Sequence, residues 1–366
     1  MKNKRFLIYM GHPAHFYLFR NLIYLFKKHQ FDFVIVIKTK DILEQLCINE
    51  GFEYINVLPV YRKNNFFSFV LSYLKKYIRI SKIILKHKPQ VMVGSEPSLT
   101  HLGKLFRIKS VIFCEDDTAI IPRFAKIAYP FADAILAPIS CNLGKWEYKK
   151  SAYFGFQKLA YLHPSVFHPD RSLISEIGEG DYFIIRLTEL AAYHDDNIKG
   201  IQKELLSQII HRLEKKGKVF ITSEKTLTQD LLKYQLPIKP ENIHHALYFA
   251  KMYIGDSQSM AVEAALLGTP GIRFNDFVGE IGVLNEIENV YGLSFAFKTN
   301  DSLGLLNRID SILKSESIQK EFKMNRQKLL SEKINVTDFY FWFLVNFPES
   351  KSQLAETPSI QESFKI

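Results

Sequence analysis

Short apolar runs alternate along this chain with longer stretches in which apolar residues return every three or four positions. The first run, 6–10, leads into Gly11-His12-Pro13-Ala14-His15, and a helical pattern follows over 16–28. Runs at 33–37 and 54–58 flank a helix over 41–50 closed by Gly51, and a long helix over 66–86 ends before Pro89. Further β-type runs fall at 90–94, 111–114 and 134–137. Strands alternating with helices of this length predict parallel sheets covered on both faces. A stretch rich in Pro, Ser, Asp and Gly at 163–180 reads as a linker. Beyond it the rhythm resumes, with strands at 182–187, 218–222, 252–255 and 271–274 and helices at 200–215 and 260–267. The aromatic stretch 337–345 predicts a last helix, stopped by Pro348, that either crosses back to the N-terminal domain or covers the C-terminal one. The expected organisation is two α/β domains, 1–165 and 166–335, a helix at 336–348, and a disordered polar tail at 349–366.

Composition narrows the class. The chain has 366 residues, enough for two α/β cores, and its 47% apolar content is that of a globular protein rather than a disordered one. No apolar stretch reaches the roughly 18 uncharged residues that a membrane-spanning helix needs. The start Met1-Lys2-Asn3-Lys4-Arg5 is basic, but the apolar run after it is short and lacks a small-residue cleavage site. A cytoplasmic protein is expected. Cys47, Cys114 and Cys141 are far apart without metal spacing, and read as buried small hydrophobes in a reducing compartment.

The net charge of +10 is concentrated in one place. Between positions 54 and 95 there is no acidic residue, while Arg62, Lys63, Lys75, Lys76, Arg79, Lys82, Lys86 and Lys88 supply eight positive charges. On a helix, Lys75, Arg79, Lys82 and Lys86 form one stripe, opposite Phe66, Val70, Tyr73, Tyr77, Ile80 and Ile84. Two compatible readings follow: an apolar stripe packed on a sheet with lysines in water, and a peripheral contact of residues 62–88 with an anionic membrane surface. Nucleic acid is not expected as a partner, because no helix-turn-helix, zinc-finger or RNP pattern accompanies the charge.

The chemically richest segment is Tyr253-Ile254-Gly255-Asp256-Ser257-Gln258-Ser259-Met260-Ala261-Val262-Glu263, continuing to Gly268-Thr269-Pro270. A strand ends at Gly255 and a helix begins near Ser257. Its first amides and positive dipole end suit an anion, with the Ser257 and Ser259 hydroxyls beside them. Glu263, two turns in, can accept from a ribose diol. An ordinary helix capped by Asp256 or Ser257 is the alternative.

This segment resembles the donor-binding signature of GT-B glycosyltransferases and UDP-sugar 2-epimerases. The resemblance sharpens to one family of predicted glycosyltransferases, the domain of unknown function 354, of which the chain is identified as a member. It rests on Gly11-His12-Pro13-Ala14-His15-Phe16, on Ile185-Arg186-Leu187-Thr188-Glu189-Leu190-Ala191-Ala192-Tyr193-His194-Asp195, and on Phe220-Ile221-Thr222-Ser223-Glu224. Ile243-His244-His245-Ala246-Leu247-Tyr248 and the 256–270 block complete it, so that it covers nearly the whole chain to 348. It implies a GT-B-like pair of Rossmann-like domains facing a cleft, and a nucleotide-sugar donor bound by the second.

Position by position, the resemblance implies that Arg186 meets the donor diphosphate, as a guanidinium can fork to phosphate oxygens; a surface salt bridge is the alternative. Ser223 and Glu224 end the next strand toward the same site, and Ile243 and His244 lie where the base is laid against backbone groups. In the first domain, Gly11 allows close approach, and His12 or His15 is the expected general base on an acceptor hydroxyl. Loop histidines that merely hydrogen-bond are the alternative, and Glu96, Asp116 and Asp117, which also follow strand ends, compete for the role. The implied reaction is inverting sugar transfer from a UDP-sugar to a glycan or lipid-linked acceptor in surface polysaccharide synthesis, with no metal and no cofactor. A UDP-sugar 2-epimerase is a rival. That family opens with Gly-Thr-Arg-Pro-Glu and carries His-Arg-x-Asn where this chain has Ile185-Arg186-Leu187-Thr188. A non-catalytic nucleotide-sugar or glycan-binding protein is a third reading.

Overall fold

Runs rich in Val, Ile, Phe and Tyr form central strands here because helices bury both faces while parallel neighbours pair the backbone. The structure is a computed structural model that describes residues 4–59, 66–188, 200–223 and 226–365, and only the backbone of 66–70. The chain divides into two compact units, Met1–Tyr161 with Lys333–Ile366, and Leu162–Glu332.

The first unit holds β1 (Arg5–Met10), β2 (Asp32–Lys38), β3 (Tyr54–Leu58), β4 (Val91–Gly94), β5 (Lys109–Phe113), β6 (Ala134–Pro138) and β7 (Lys150–Tyr153). They form one parallel sheet in the order β3-β2-β1-β4-β5-β6-β7. The second unit holds β8 (Tyr182–Leu187), β9 (Lys218–Ser223), β10 (Met252–Gly255), β11 (Gly271–Phe274) and β12 (Phe295–Phe297). Its sheet is parallel as well, in the order β12-β11-β10-β8-β9. Phe183, Ile185 and Leu187 of β8 pack with Leu206, Ile209 and Ile309 from the flanking helices to make its core. The sequence pattern missed β7 and β12, the first short and the second only half-buried.

The aromatic helix, Val336–Val345, belongs to the first unit. Asn335 caps it, accepting from the Thr337 and Asp338 amides. Tyr340 stands edge-on to Phe113 and its hydroxyl donates to that of Tyr153 at 2.7 Å, while Phe341 meets Phe26 and Phe31. The expected domain boundaries at 165 and 335 therefore shift to 161 and 332.

The tail expected to be disordered is ordered. A helix at Glu349–Glu356 and a 3-10 turn at Pro358–Phe364 fold back on the first sheet. Gln361, buried among residues of otherwise polar pattern, works as a surrogate strand for the open edge of β7. Its Oε1 accepts from the Phe154 amide at 2.9 Å and its Nε2 donates to the Ala152 carbonyl at 3.3 Å. Phe364 closes the contact against Phe339 and Trp342. One glutamine amide satisfying a sheet edge has no periodic signature, so composition alone pointed the other way.

Close packing of this segment gives a test. A Cβ on Gly155 would lie 2.4 Å from Val336 Cγ1. Gly155→Ala is expected to lower stability by about 1–3 kcal/mol through overpacking. Adding Val336→Ala removes the clash, so in chemical denaturation the double variant should lose less than the sum of the two single costs. Additive losses would contradict the contact.

Candidate functional site

In the second sheet the chain leaves β8 for β9 on one side and returns to β10 on the other. The loops after β8 and β10 part in opposite directions, and such a reversal opens a crevice beyond the carboxyl ends of the strands. Register sets Arg186 beside Gly255 of β10 and Thr222 of β9. A Cβ at position 255 would fall 2.5 Å from the Tyr253 hydroxyl oxygen and 2.8 Å from the Arg186 carbonyl oxygen, so the strand pair closes only around glycine. Arg186 is half-buried, and its Nη1 donates to Thr222 Oγ1 at 3.0 Å.

Asp256 comes next and ties the loops together. Its Oδ1 accepts the Thr188 amide hydrogen at 2.8 Å, and its carbonyl accepts from Asn275 Nδ2 at 3.1 Å. Asn275 is held by the fully buried Arg273, which donates to its Oδ1 at 2.9 Å and pairs with Glu288 at 2.9 Å. Burial raises the Asp256 carboxyl above its ordinary value, and the bonds from Thr188 oppose that rise. Ser257, rather than Asp256, is the side-chain cap: its Oγ accepts the Met260 amide hydrogen at 3.3 Å and starts the helix Gln258–Leu267. Ser259 is exposed in the first turn. Further along, half-buried Glu263 has its Oε1 3.3 Å from Nε2 of buried His244, on the helix Ile243–Phe249.

A cavity of about 420 Å³ opens among these elements. Arg186, Thr222, Ser223, Thr226 and Gln235 supply its polar wall, and Ile221, Leu236, Ile238, Ile243 and Met260 much of its apolar wall. Of the expected binding residues, Arg186, Ser223 and Ile243 line it, and the helix capped by Ser257 reaches it through Met260. Among the described residues that line it, Asp256, Ser257, Ser259, His244 and Glu263 are absent: Asp256 fixes the loops, and Glu263 pairs with His244. Glu224 and the 189–195 part of the motif lie outside the described residues. Sequence reasoning missed Thr222, Leu236, Ile238 and Met260. Leu236-Pro237-Ile238 held the available signal, two large apolar residues around a proline in a loop otherwise rich in polar residues.

The other residues expected to be chemically active stand at strand ends of the first unit, where β1 and β4 form the equivalent reversal. Buried Gly11 donates its amide hydrogen to His15 Nδ1 at 3.2 Å. Exposed His12 caps the helix Pro13–Lys28, its Nδ1 accepting the Ala14 amide hydrogen at 3.2 Å. Each imidazole thus commits Nδ1 as acceptor, and in the neutral ring Nε2 carries the proton. Desolvation, with His12 and Lys38 nearby, lowers the His15 pKa to about 4. Glu96 is buried: it caps the helix Pro97–Phe106, accepting from the Ser98 amide, and pairs with buried Lys76 at 2.6 Å. Asp117, also buried, accepts the Asn142 amide hydrogen at 2.7 Å. Asp116 alone of the three carboxylates is exposed. Desolvation within its loop, together with the carboxylates of Glu115 and Asp117, raises it, and Lys158 opposes the rise.

A protein-family model described as Protein of unknown function (DUF354) matches residues 6–321. No curated protein matches the chain. Among solved structures, the S. aureus MnaA–UDP co-structure is similar at a TM-score of 0.70 and 11% identity, covering 96% of this chain and 97% of that one. The UDP-GlcNAc 2-epimerase of Neisseria meningitidis bound to UDP-GlcNAc is similar at 0.66 and 12%, covering 93% and 99%. The spinosyn rhamnosyltransferase SpnG complexed with thymidine diphosphate is similar at 0.60 and 11%, covering 90% and 97%. At these identities what is shared is the fold: α/β and GT-B-like, with two parallel sheets, as the sequence implied.

The histidine loop yields a pH test. Because the folded value of His15 lies below the ordinary 6.5, protonation favours the unfolded chain. The stability that neutral His15 contributes is complete above that value and declines as pH falls toward about 4. In an NMR titration the His15 ring should change state near pH 4, with Nδ1 unprotonated above it. A midpoint near 6.5 would contradict the geometry.

Proposed function

The chain belongs to the DUF354 family, and from that premise we propose that its second unit binds a UDP-sugar and that the protein transfers the sugar to a hydroxyl of a glycan or lipid-linked acceptor. The observation that carries this reading is the make-up of the cavity: one arginine held by Thr222, a serine beside it, and an apolar wall of Ile221, Leu236, Ile238 and Ile243. A nucleoside diphosphate needs that combination, a cation for the diphosphate and a flat apolar slot for the base. The start of the helix Gln258–Leu267 adds its positive dipole end.

In the proposed reaction the acceptor oxygen forms a bond to the anomeric carbon, the bond from that carbon to the diphosphate breaks, and UDP leaves with the electron pair. Arg186 and the helix amides stabilise the charge that develops on the leaving oxygen. The acceptor proton passes to a base. Glu96 and Asp117 are tied to backbone amides, and both loop histidines present N–H at Nε2. Asp116, the exposed carboxylate of the three, suits the task best.

Two outcomes test this reading. Arg186→Ala should weaken UDP binding in calorimetry by about 1.5–3 kcal/mol, the range for a charge-assisted hydrogen bond, with little change in melting temperature. Unchanged affinity with lost stability would make the arginine structural. Asp116→Asn should lower turnover by about 10²- to 10⁴-fold with UDP affinity retained. Turnover is read as UDP release from a panel of UDP-sugars; an epimerised UDP-sugar formed without acceptor would replace the transferase with an epimerase.

A further inference from the structure

The long helix Phe66–His87 carries an apolar stripe that the sheet does not cover. Its inward face is ordinary: Ile80, Ile83 and Ile84 are buried against β1, β2 and β4, with Tyr77 packed beside them. On the outward face, Leu71, Leu74, Ile78 and Leu85 are 52, 56, 55 and 62% exposed. At about 3.6 residues per turn these four fall within one narrow arc. Lys75, Arg79, Lys82 and Lys86, all exposed, fall in the arc directly beside it. The sequence reading placed only charge on the outer face, and the second apolar stripe is a finding of the structure. Side chains of Phe66 and Val70 lie outside the described residues, and Tyr73 is partly exposed, its ring stacked beside Tyr77.

Water gives no reason for four large aliphatic side chains in a row on the outside of a sheet-covering helix. A single exposed leucine is unremarkable, whereas a continuous stripe marks a contact surface. The flank says which contact. Four cations run the length of the stripe, in a segment where no acidic residue occurs between positions 54 and 95. Aliphatic residues beside a file of Lys and Arg match a surface that is negative at its face and oily just beneath it. No helix among the described residues is long and apolar enough to cross a membrane, so the contact is one of lying on the surface.

We propose that the outward face of the helix Phe66–His87 seats on an anionic lipid bilayer. Leu71, Leu74, Ile78 and Leu85 enter the boundary between headgroups and acyl chains, while Lys75, Arg79, Lys82 and Lys86 engage lipid phosphates on one flank. The helix stays folded against the sheet throughout, because its inward residues are those that pack there. This surface is separate from the nucleotide reading and stands or falls without it.

The test uses the full chain and sedimentation with vesicles of phosphatidylcholine alone or mixed with phosphatidylglycerol. Wild-type protein should sediment with the mixed vesicles at low salt and far less with the neutral ones, and added salt should release it. Lys75→Gln, Lys82→Gln and Lys86→Gln together should weaken binding about a hundredfold, near fivefold for each cation lost at an anionic surface. Arg79 is left in place because its Nη1 donates to the Val57 carbonyl at 2.8 Å. Leu74→Ser, Ile78→Ser and Leu85→Ser together should also release the protein, while circular dichroism and UDP affinity stay as in the wild type. Equal binding to neutral vesicles, or no binding to either, overturns the proposal. Retention of binding by the serine variant overturns the insertion of the apolar stripe. A wild-type dimer that the serine variant splits, without lipid binding, assigns the face to a second copy of the chain instead.

Discussion

One hydrogen bond organises the second unit's site: the Asp256 carboxylate accepting the Thr188 amide hydrogen at 2.8 Å. It joins the loops that leave β8 and β10, the two strands that neighbour each other across the sheet's reversal. Because the loop after β8 is tethered, Arg186 is delivered at the end of its strand beside Thr222. Because the loop after β10 is tethered, the helix capped by Ser257 starts where its first turn borders the cavity. Asn275 and the buried Arg273–Glu288 pair brace the tether from β11 and the helix Gly282–Asn289. A buried carboxylate costs energy unless it is satisfied, and the Thr188 amide hydrogen is the partner that Asp256 Oδ1 takes.

The two ends of the chain illustrate another constraint. A parallel sheet with an open edge must be covered. Unit one meets that need at β7 with residues 187 to 209 positions later, through Tyr340 of the aromatic helix Val336–Val345 and through Gln361. Completion of the first unit therefore waits on the end of the chain, and the second unit is an insertion into the first in sequence terms.

Much of the fold was legible because strand residues such as 6–10 and 182–185 are apolar without interruption and the helices between the strands have clear periodicity. The helix start at 257 was legible too, since a strand, a small polar turn and a helix spell out their own geometry, whereas Arg186 and Ser223 were singled out by the family resemblance. Side-chain commitments were not. Nothing in the sequence tells that Asp256 faces an amide rather than a ligand, that Glu96 is locked by Lys76, or that two histidines each spend a lone pair on a neighbouring amide. Those outcomes are set by differences of about an ångström in how closely residues far apart in sequence, or turned by a loop, approach one another. The apolar wall at Leu236 and Ile238 was hidden for a related reason: isolated apolar residues in a loop have no period.

The central claim is that the carboxyl ends of β8 and β9, with the helix after β10, form a nucleotide site. Hydrogen–deuterium exchange of the full chain with and without UDP tests it most directly. Protection confined to peptides spanning 186–188, 221–223, 235–243 and 257–263 is the predicted result. Protection confined to the loops at 11–16 and 95–98, or none at saturating UDP, would contradict it.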